Sequence, residues 1–193
     1  MRVVLTILLA GTLALAGCKP STPAAPAGTG EPKPAAKAPA ADAGNGNGMQ
    51  IRETTADLPT LVVDTVDGGR FDLSAQRGKW VVVNFWATWC APCLKEMPEL
   101  SALDAMREDV QVVGLAYEDI TAADMQAFLK EHPVVYPIAI LDVMAPPADF
   151  ATPRGLPTTY LISPEGKVAK AFAGPVTARE LEALIAQPVG KPG

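Results

Sequence analysis

The chain predicts an α/β fold with a mostly parallel central sheet, and three features of the sequence carry that prediction. A seven-residue run, Trp80 to Trp86, is nearly all apolar and β-branched, as a strand covered on both faces must be. Strand-like and helix-like patterns then alternate, which calls for parallel strands joined by helical crossovers. Two late strands separated by a short turn add antiparallel pairing at one side.

The elements follow in order. Leu61-Val62-Val63 and Phe71-Asp72-Leu73 flank Asp67-Gly68-Gly69, a turn sequence in which glycine permits positive φ, so this stretch predicts an entry hairpin. After the Trp80 to Trp86 strand, a helix is expected from about Ala91 to Arg107, with Leu94, Met97, Leu100 and Leu103 at three- and four-residue spacing. Val110 to Ala116 predicts the next strand, Thr121 to Glu131 a helix with a threonine cap, and Tyr136 to Leu141 a third strand. Thr158 to Ile162 and Lys167 to Ala173 predict two strands around Ser163-Pro164-Glu165-Gly166, and Thr177 caps a last helix that ends before Pro188. The order is hairpin, β-α-β-α, then β-β-α.

With 193 residues the chain suits one compact domain plus attachments. A net charge of −5, without a dense Lys/Arg run, gives no electrostatic basis for binding nucleic acid. Residues 1–17 have the form of an export signal: a positive start at Met1-Arg2, an apolar run, then small residues. That run is shorter than the roughly 20 residues needed to span a bilayer. Residues 19–48 are rich in Pro, Ala and Gly with almost no large apolar side chain, so with residue 18 they predict a disordered tether extending at most about 90 Å. The folded domain is expected over 49–188, with 189–193 as a flexible tail.

Leu15-Ala16-Gly17-Cys18 resembles the lipobox of bacterial lipoproteins. The resemblance implies that Cys18 carries lipid and holds the protein at the inner or outer membrane, on its extracytoplasmic side; an ordinary cleavable signal or a retained anchor, with a bystander cysteine, is the alternative. Of three cysteines, one then serves as anchor and two remain as a pair.

That pair lies in Trp89-Cys90-Ala91-Pro92-Cys93, where the buried strand ends and a helix begins. Two cysteines three residues apart on a first helical turn approach disulfide geometry, and the unpaired amides there favour a thiolate. Cys90 is therefore expected to attack and Cys93, one turn inward, to resolve. Zinc would usually require a second pair of ligands, and the sole histidine, His132, lies far along the chain, so no metal site is expected. A purely structural bridge remains as an alternative. It closes too short a loop to restrain the unfolded chain much.

Around these residues the chain resembles the thioredoxin superfamily, in its branch of tethered extracytoplasmic proteins. The resemblance rests on Val83 to Cys93 and on Gly155-Leu156-Pro157-Thr158-Thr159-Tyr160-Leu161-Ile162, and implies a thioredoxin-like fold, a central mixed sheet flanked by helices with an added N-terminal hairpin. It implies that Pro157 is a cis-proline lying against the disulfide, with the Leu156 backbone offered to an extended substrate. Asn84 stands where many relatives carry a buried acid, and Glu96 matches a glutamate one turn after the second cysteine. On the face of Cys93, Glu96 is a candidate for handling its proton; a solvent-facing charge is the alternative. Pro98 matches a helix-kinking proline. Trp86, Trp89 and Pro92 are expected to shape the surface at the disulfide, a plain core position being the equal alternative for Trp86, and the 142–155 loop to influence substrate choice.

The expected activity is reduction of disulfides in exported proteins, with no cofactor beyond the Cys90–Cys93 pair and the protein a monomer. Family resemblance implies apocytochrome c or another periplasmic thiol protein as client and a transmembrane reductase as electron donor. An oxidase or isomerase, or a thiol-binding module or redox sensor without turnover, remain as alternatives.

Overall fold

The computed structural model describes residues 51–187. The expected signal segment, Cys18, the tether and the 188–193 end lie outside the described residues. Among the described residues no helix is long and apolar enough to cross a membrane.

Among the described residues seven strands and three α-helices follow one another as β1 (Val62–Asp64), β2 (Arg70–Asp72), β3 (Trp80–Trp86), α1 (Ala91–Met106), β4 (Val110–Ala116), α2 (Ala122–Glu131), β5 (Ile138–Ile140), β6 (Thr158–Ile162), β7 (Val168–Ala173) and α3 (Ala178–Ile185). The main sheet has the order β5-β4-β3-β6-β7, parallel across β5, β4 and β3 and antiparallel from β3 to β6 to β7. β1 and β2 form the separate entry hairpin.

All seven β3 residues are buried, because the strand alternates between two cores. Trp80, Val82 and Trp86 face a core built with Met97, Leu100 and Leu103 of α1, Met125 of α2, and Leu181 and Ile185 of α3. Val81, Val83 and Phe85 face the other, closed by Leu61, Phe71, Leu73 and Phe150. One side of the sheet is thus covered by all three helices. The opposite side is covered by the hairpin and by the loop carrying Phe150, whose ring packs 5.9 Å from Phe85 and 5.2 Å from Tyr160.

Several strand and helix ends lie one residue from expectation, and two larger departures have a local cause. Leu73 leaves the hairpin for a 3-10 turn, Leu73–Gln76, because the Asp72 carboxylate accepts the Ser74 N–H at 2.8 Å and starts a turn there. β5 is three residues long instead of Tyr136 to Leu141. Pro137 has no N–H to continue the ladder, although its carbonyl still accepts from Gly114 N at 2.9 Å. Both threonine caps form as expected: Thr121 accepts from Asp124 N, and Thr177 closes a capping box with Glu180.

Candidate active site

β3 and α1 meet at the Cys90 turn. Cys90 is the N-cap of α1, and its sulfur accepts the Cys93 N–H at 3.3 Å, one of the amides that the start of a helix leaves without a partner. Cys90 and Cys93 form a disulfide with Cα atoms 5.2 Å apart. Cys90 is 4% exposed and Cys93 0%, so the outer sulfur belongs to the residue expected to attack. The pair is set in apolar surroundings: both cysteines lie in the helix-side core, against which Leu156 also packs.

Trp89 stands 69% exposed beside Cys90, and Pro92 is exposed as well. Trp86 is fully buried, so of the three residues expected at this surface it is the one assigned to the core. It packs against Phe128 of α2 at 5.8 Å. His132, the C-cap of α2, is exposed and stacks on Phe128 at 4.4 Å, away from any cysteine role.

The Leu156–Pro157 peptide bond is cis. Thr158 pairs with Phe85, which places Pro157 at the end of the sheet from which β3 runs into the redox turn. A groove of about 570 Å³ opens here between Arg52-Glu53, the 151–156 segment and the edge strand β7. The rest of the 142–155 loop is an anchor: Phe150 is buried, and the Asp149 carboxylate accepts from the Thr60 N–H at 2.8 Å and its hydroxyl at 2.5 Å.

Glu96 is 4% exposed, which removes the solvent-facing alternative. Its Oε1 accepts from Asn84 Nδ2 at 2.8 Å and its Oε2 from Val176 N at 2.9 Å. Asn84 gives its second Nδ2 hydrogen to Thr159 Oγ1 at 2.9 Å. Burial pushes the Glu96 carboxyl above the usual glutamate range, against the opposing pull of the Val176 and Asn84 hydrogen bonds, while nearby Glu99 adds to the rise. The acid of this interior thus sits on α1, and the amide at position 84 of β3 holds it.

Sequence reasoning missed Thr88 and Glu118. Glu118 Oε1 accepts the Thr88 N–H at 2.6 Å and Oε2 the Thr88 hydroxyl at 2.9 Å, two residues before Cys90. The pairing of Trp86 with Ala116 was the available signal, since it brings the residues two positions beyond each strand to one end of the sheet.

Two sulfurs bonded at a strand-to-helix junction pass between disulfide and dithiol, and on this thioredoxin-like fold that is the chemistry of the thiol–disulfide oxidoreductases. Known proteins agree. Residues 54–171 match the AhpC/TSA family. The chain is 36% identical over 124 residues to the thiol-disulfide oxidoreductase ResA of Bacillus subtilis, covering 63% of this chain and 68% of that protein. It is 33% identical over 138 residues to a ResA of Bacillus cereus, covering 71% and 78%. A crystal structure of a putative thiol:disulfide interchange protein DsbE from Chlorobium tepidum superposes with TM-score 0.59 at 28% identity, over 69% of this chain and 95% of that one. The chain belongs to the AhpC/TSA family, among its thiol–disulfide oxidoreductases of the ResA and DsbE type.

Proposed function

We propose that the protein is a membrane-tethered, extracytoplasmic reductase that opens disulfides in exported proteins, apocytochrome c being one candidate client. The observation that carries this reading is the Cys90–Cys93 disulfide at the start of α1, its outer sulfur an acceptor for a helix amide and its inner one fully buried. In the reduced form, Cys90 thiolate attacks one sulfur of the client disulfide, forming a mixed disulfide and releasing the other client sulfur as a thiolate that takes up a proton. Cys93, having lost its proton, attacks the Cys90 sulfur. The client leaves as a dithiol, and Cys90–Cys93 holds the two oxidising equivalents. A membrane electron donor must return two electrons and two protons for the next cycle.

Glu96 is the proton acceptor for Cys93 in this scheme. A carboxylate one turn along α1, raised by burial, is matched more closely to a thiol than an exposed one would be. Trp89 and Pro92 give the client an apolar contact beside Cys90, and the Leu156–Pro157 segment gives its backbone a partner. Lipid on Cys18 and the Pro/Ala/Gly-rich segment after it would keep this surface within reach of the membrane. Support for an extracytoplasmic setting comes from the signal-like residues 1–17.

The test is to replace Cys93 with Ser in the native host and identify what is bound covalently to Cys90. Exported thiol proteins are the expected catch, together with a reduction potential below about −250 mV for the wild type. Continued disulfide turnover in Cys90→Ala, with nothing trapped by Cys93→Ser, would sink the mechanism. A potential near −120 mV would reverse its direction.

A further inference from the structure

The helix-side face of the sheet contains three buried polar atoms that the disulfide chemistry described above leaves unused. Asn84 Oδ1, Trp86 Nε1 and the Tyr136 hydroxyl are all buried and have no hydrogen-bond partner among the described residues. Asn84 and Trp86 are 0% exposed and Tyr136 3%. Buried polar atoms in folded proteins are satisfied almost without exception, by protein or by ordered water. Three on one face that protein leaves unsatisfied therefore indicate a shared partner.

Register and close approach bring them to one region of the helix-side face. Asn84 and Trp86 lie two apart on β3 and so point to the same face, and Asn84 pairs directly with Gly114 of β4. A Cβ on Gly114 would come within 2.5 Å of Ile138 Cδ1, 3.0 Å of Trp86 Nε1 and 3.1 Å of Tyr136 Cε2, so Ile138 closes the space over this glycine and the Trp86 and Tyr136 rings are brought together beside it. Both Asn84 Nδ2 hydrogens are committed, to Glu96 and Thr159, which leaves Oδ1 as an acceptor directed elsewhere. Trp86 offers only a donor, and Tyr136 both donates and accepts. One donor, one acceptor and one hydroxyl are the complement of a single water molecule, which in protein interiors makes about three hydrogen bonds.

We propose that Asn84, Trp86 and Tyr136 hold one buried water molecule between their unpartnered polar atoms, and that Tyr136, through this water and Asn84, is a positioning residue for the Glu96 carboxylate. The connection runs from the Tyr136 hydroxyl to the water, from the water to Asn84 Oδ1, and from Asn84 Nδ2 to Glu96 Oε1. Each bond fixes the orientation of the next group, so the hydroxyl holds the amide in the orientation that donates to Glu96. Burial, with Glu96 and Asp104 nearby, keeps the Tyr136 phenol protonated far above neutrality, so it acts as a neutral partner throughout. The groups facing Glu96 are Glu99 on its own helix, Tyr136 ahead of β5, Asn84 on β3 and the Val176 N–H ahead of α3. The water site stands independently of electron-flow direction, whereas its effect on turnover rests on the role given to Glu96 under Proposed function.

Two measurements on the oxidised full-length protein test the site without turnover. A high-resolution crystal structure is expected to show a water within hydrogen-bond distance of Asn84 Oδ1, Trp86 Nε1 and Tyr136 Oη; no water there overturns the proposal. The Glu96 carboxyl is then titrated by carbon NMR, its signal assigned with Glu96→Gln. Tyr136→Phe, which keeps the ring and removes only the hydroxyl, is expected to raise the Glu96 midpoint by about 0.5–1 pH unit, the equivalent of one lost net hydrogen bond. An unchanged midpoint overturns the positioning role. A shifted midpoint with an unshifted pH profile of disulfide turnover would uphold the site and overturn the proton role of Glu96.

Discussion

Glu118 holds Thr88 with both carboxylate oxygens, at 2.6 Å to its N–H and 2.9 Å to its hydroxyl, and thereby ties the turn before Cys90 to the end of β4. The parallel register that pairs Trp86 with Ala116 makes the grip possible, since each partner lies two residues past its strand. Glu118→Ala is expected to cost about 2 kcal/mol in urea unfolding of the oxidised protein, because hydrogen bonds to a charged group contribute about 1.5–3 kcal/mol and the turn amide loses its acceptor. Glu118→Gln should recover part of that. An Ala variant within about 0.5 kcal/mol of wild type would mean the grip is incidental.

Glu96 makes stability depend on pH in the direction opposite to an ordinary ion-paired carboxylate. Burial raises its folded-state pKa, so between the unfolded and folded values the folded protein binds the extra proton. The contribution is therefore full below the unfolded glutamate range and is lost as pH rises through the raised folded value. Glu96→Gln, neutral at every pH, should gain on the wild type as pH rises, and urea midpoints of the two oxidised proteins from acid to neutral pH check this. Parallel curves would show that the carboxyl titrates alike in both states.

Gly114 is required by close approach. A methyl group there would meet Ile138 Cδ1 at 2.5 Å as well as the Trp86 and Tyr136 rings, all of them packed in the helix-side core. Gly114→Ala is expected to destabilise by about 1–3 kcal/mol, the usual cost of overpacking a filled interior, read from the urea midpoint at unchanged slope.

Trp89, proposed above as a contact for the client, has little part in the fold. At 69% exposure its replacement by Ala should leave stability within about 0.5 kcal/mol. Reduction of a protein disulfide should slow about tenfold, the equivalent of about 1.4 kcal/mol of lost contact, while reaction with a small disulfide stays near wild type. Equal loss with both substrates would instead place Trp89 in support of the cysteines themselves.

Much of the fold is legible from local patterns because local forces determine those parts. β3 is marked by an unbroken apolar run that needs cover on both faces, and α1 by Leu100 and Leu103, which reach the core as their spacing requires. Thr121 and Thr177 cap as expected because capping needs only residues within one turn. The Cys90–Cys93 disulfide is local in the same sense, the two sulfurs being separated by one helical turn. Where a short-range competitor intervenes, the boundaries move: Asp72 starts a turn at Leu73, and Pro137 shortens β5.

The sequence by itself determined the order of strands and helices, the redox pair and its place at the end of a buried strand, since periodicity, caps and spacing act over a few residues. Tertiary structure alone decided how distant side chains combine. Glu96 looks on its helix like any charged residue at an i, i+3 position; the crossing of α1 over β3 buries it, and Asn84, twelve residues earlier, together with Val176, eighty later, holds it there. Thr88 meets Glu118 only once β3 and β4 lie parallel, and Trp86, Tyr136 and Ile138 close over Gly114 only once three strands are side by side. The physical reason is common to all of them. A buried polar group takes its partner from whatever the packing of the whole chain brings within about 3 Å, and no pattern along the sequence records that choice.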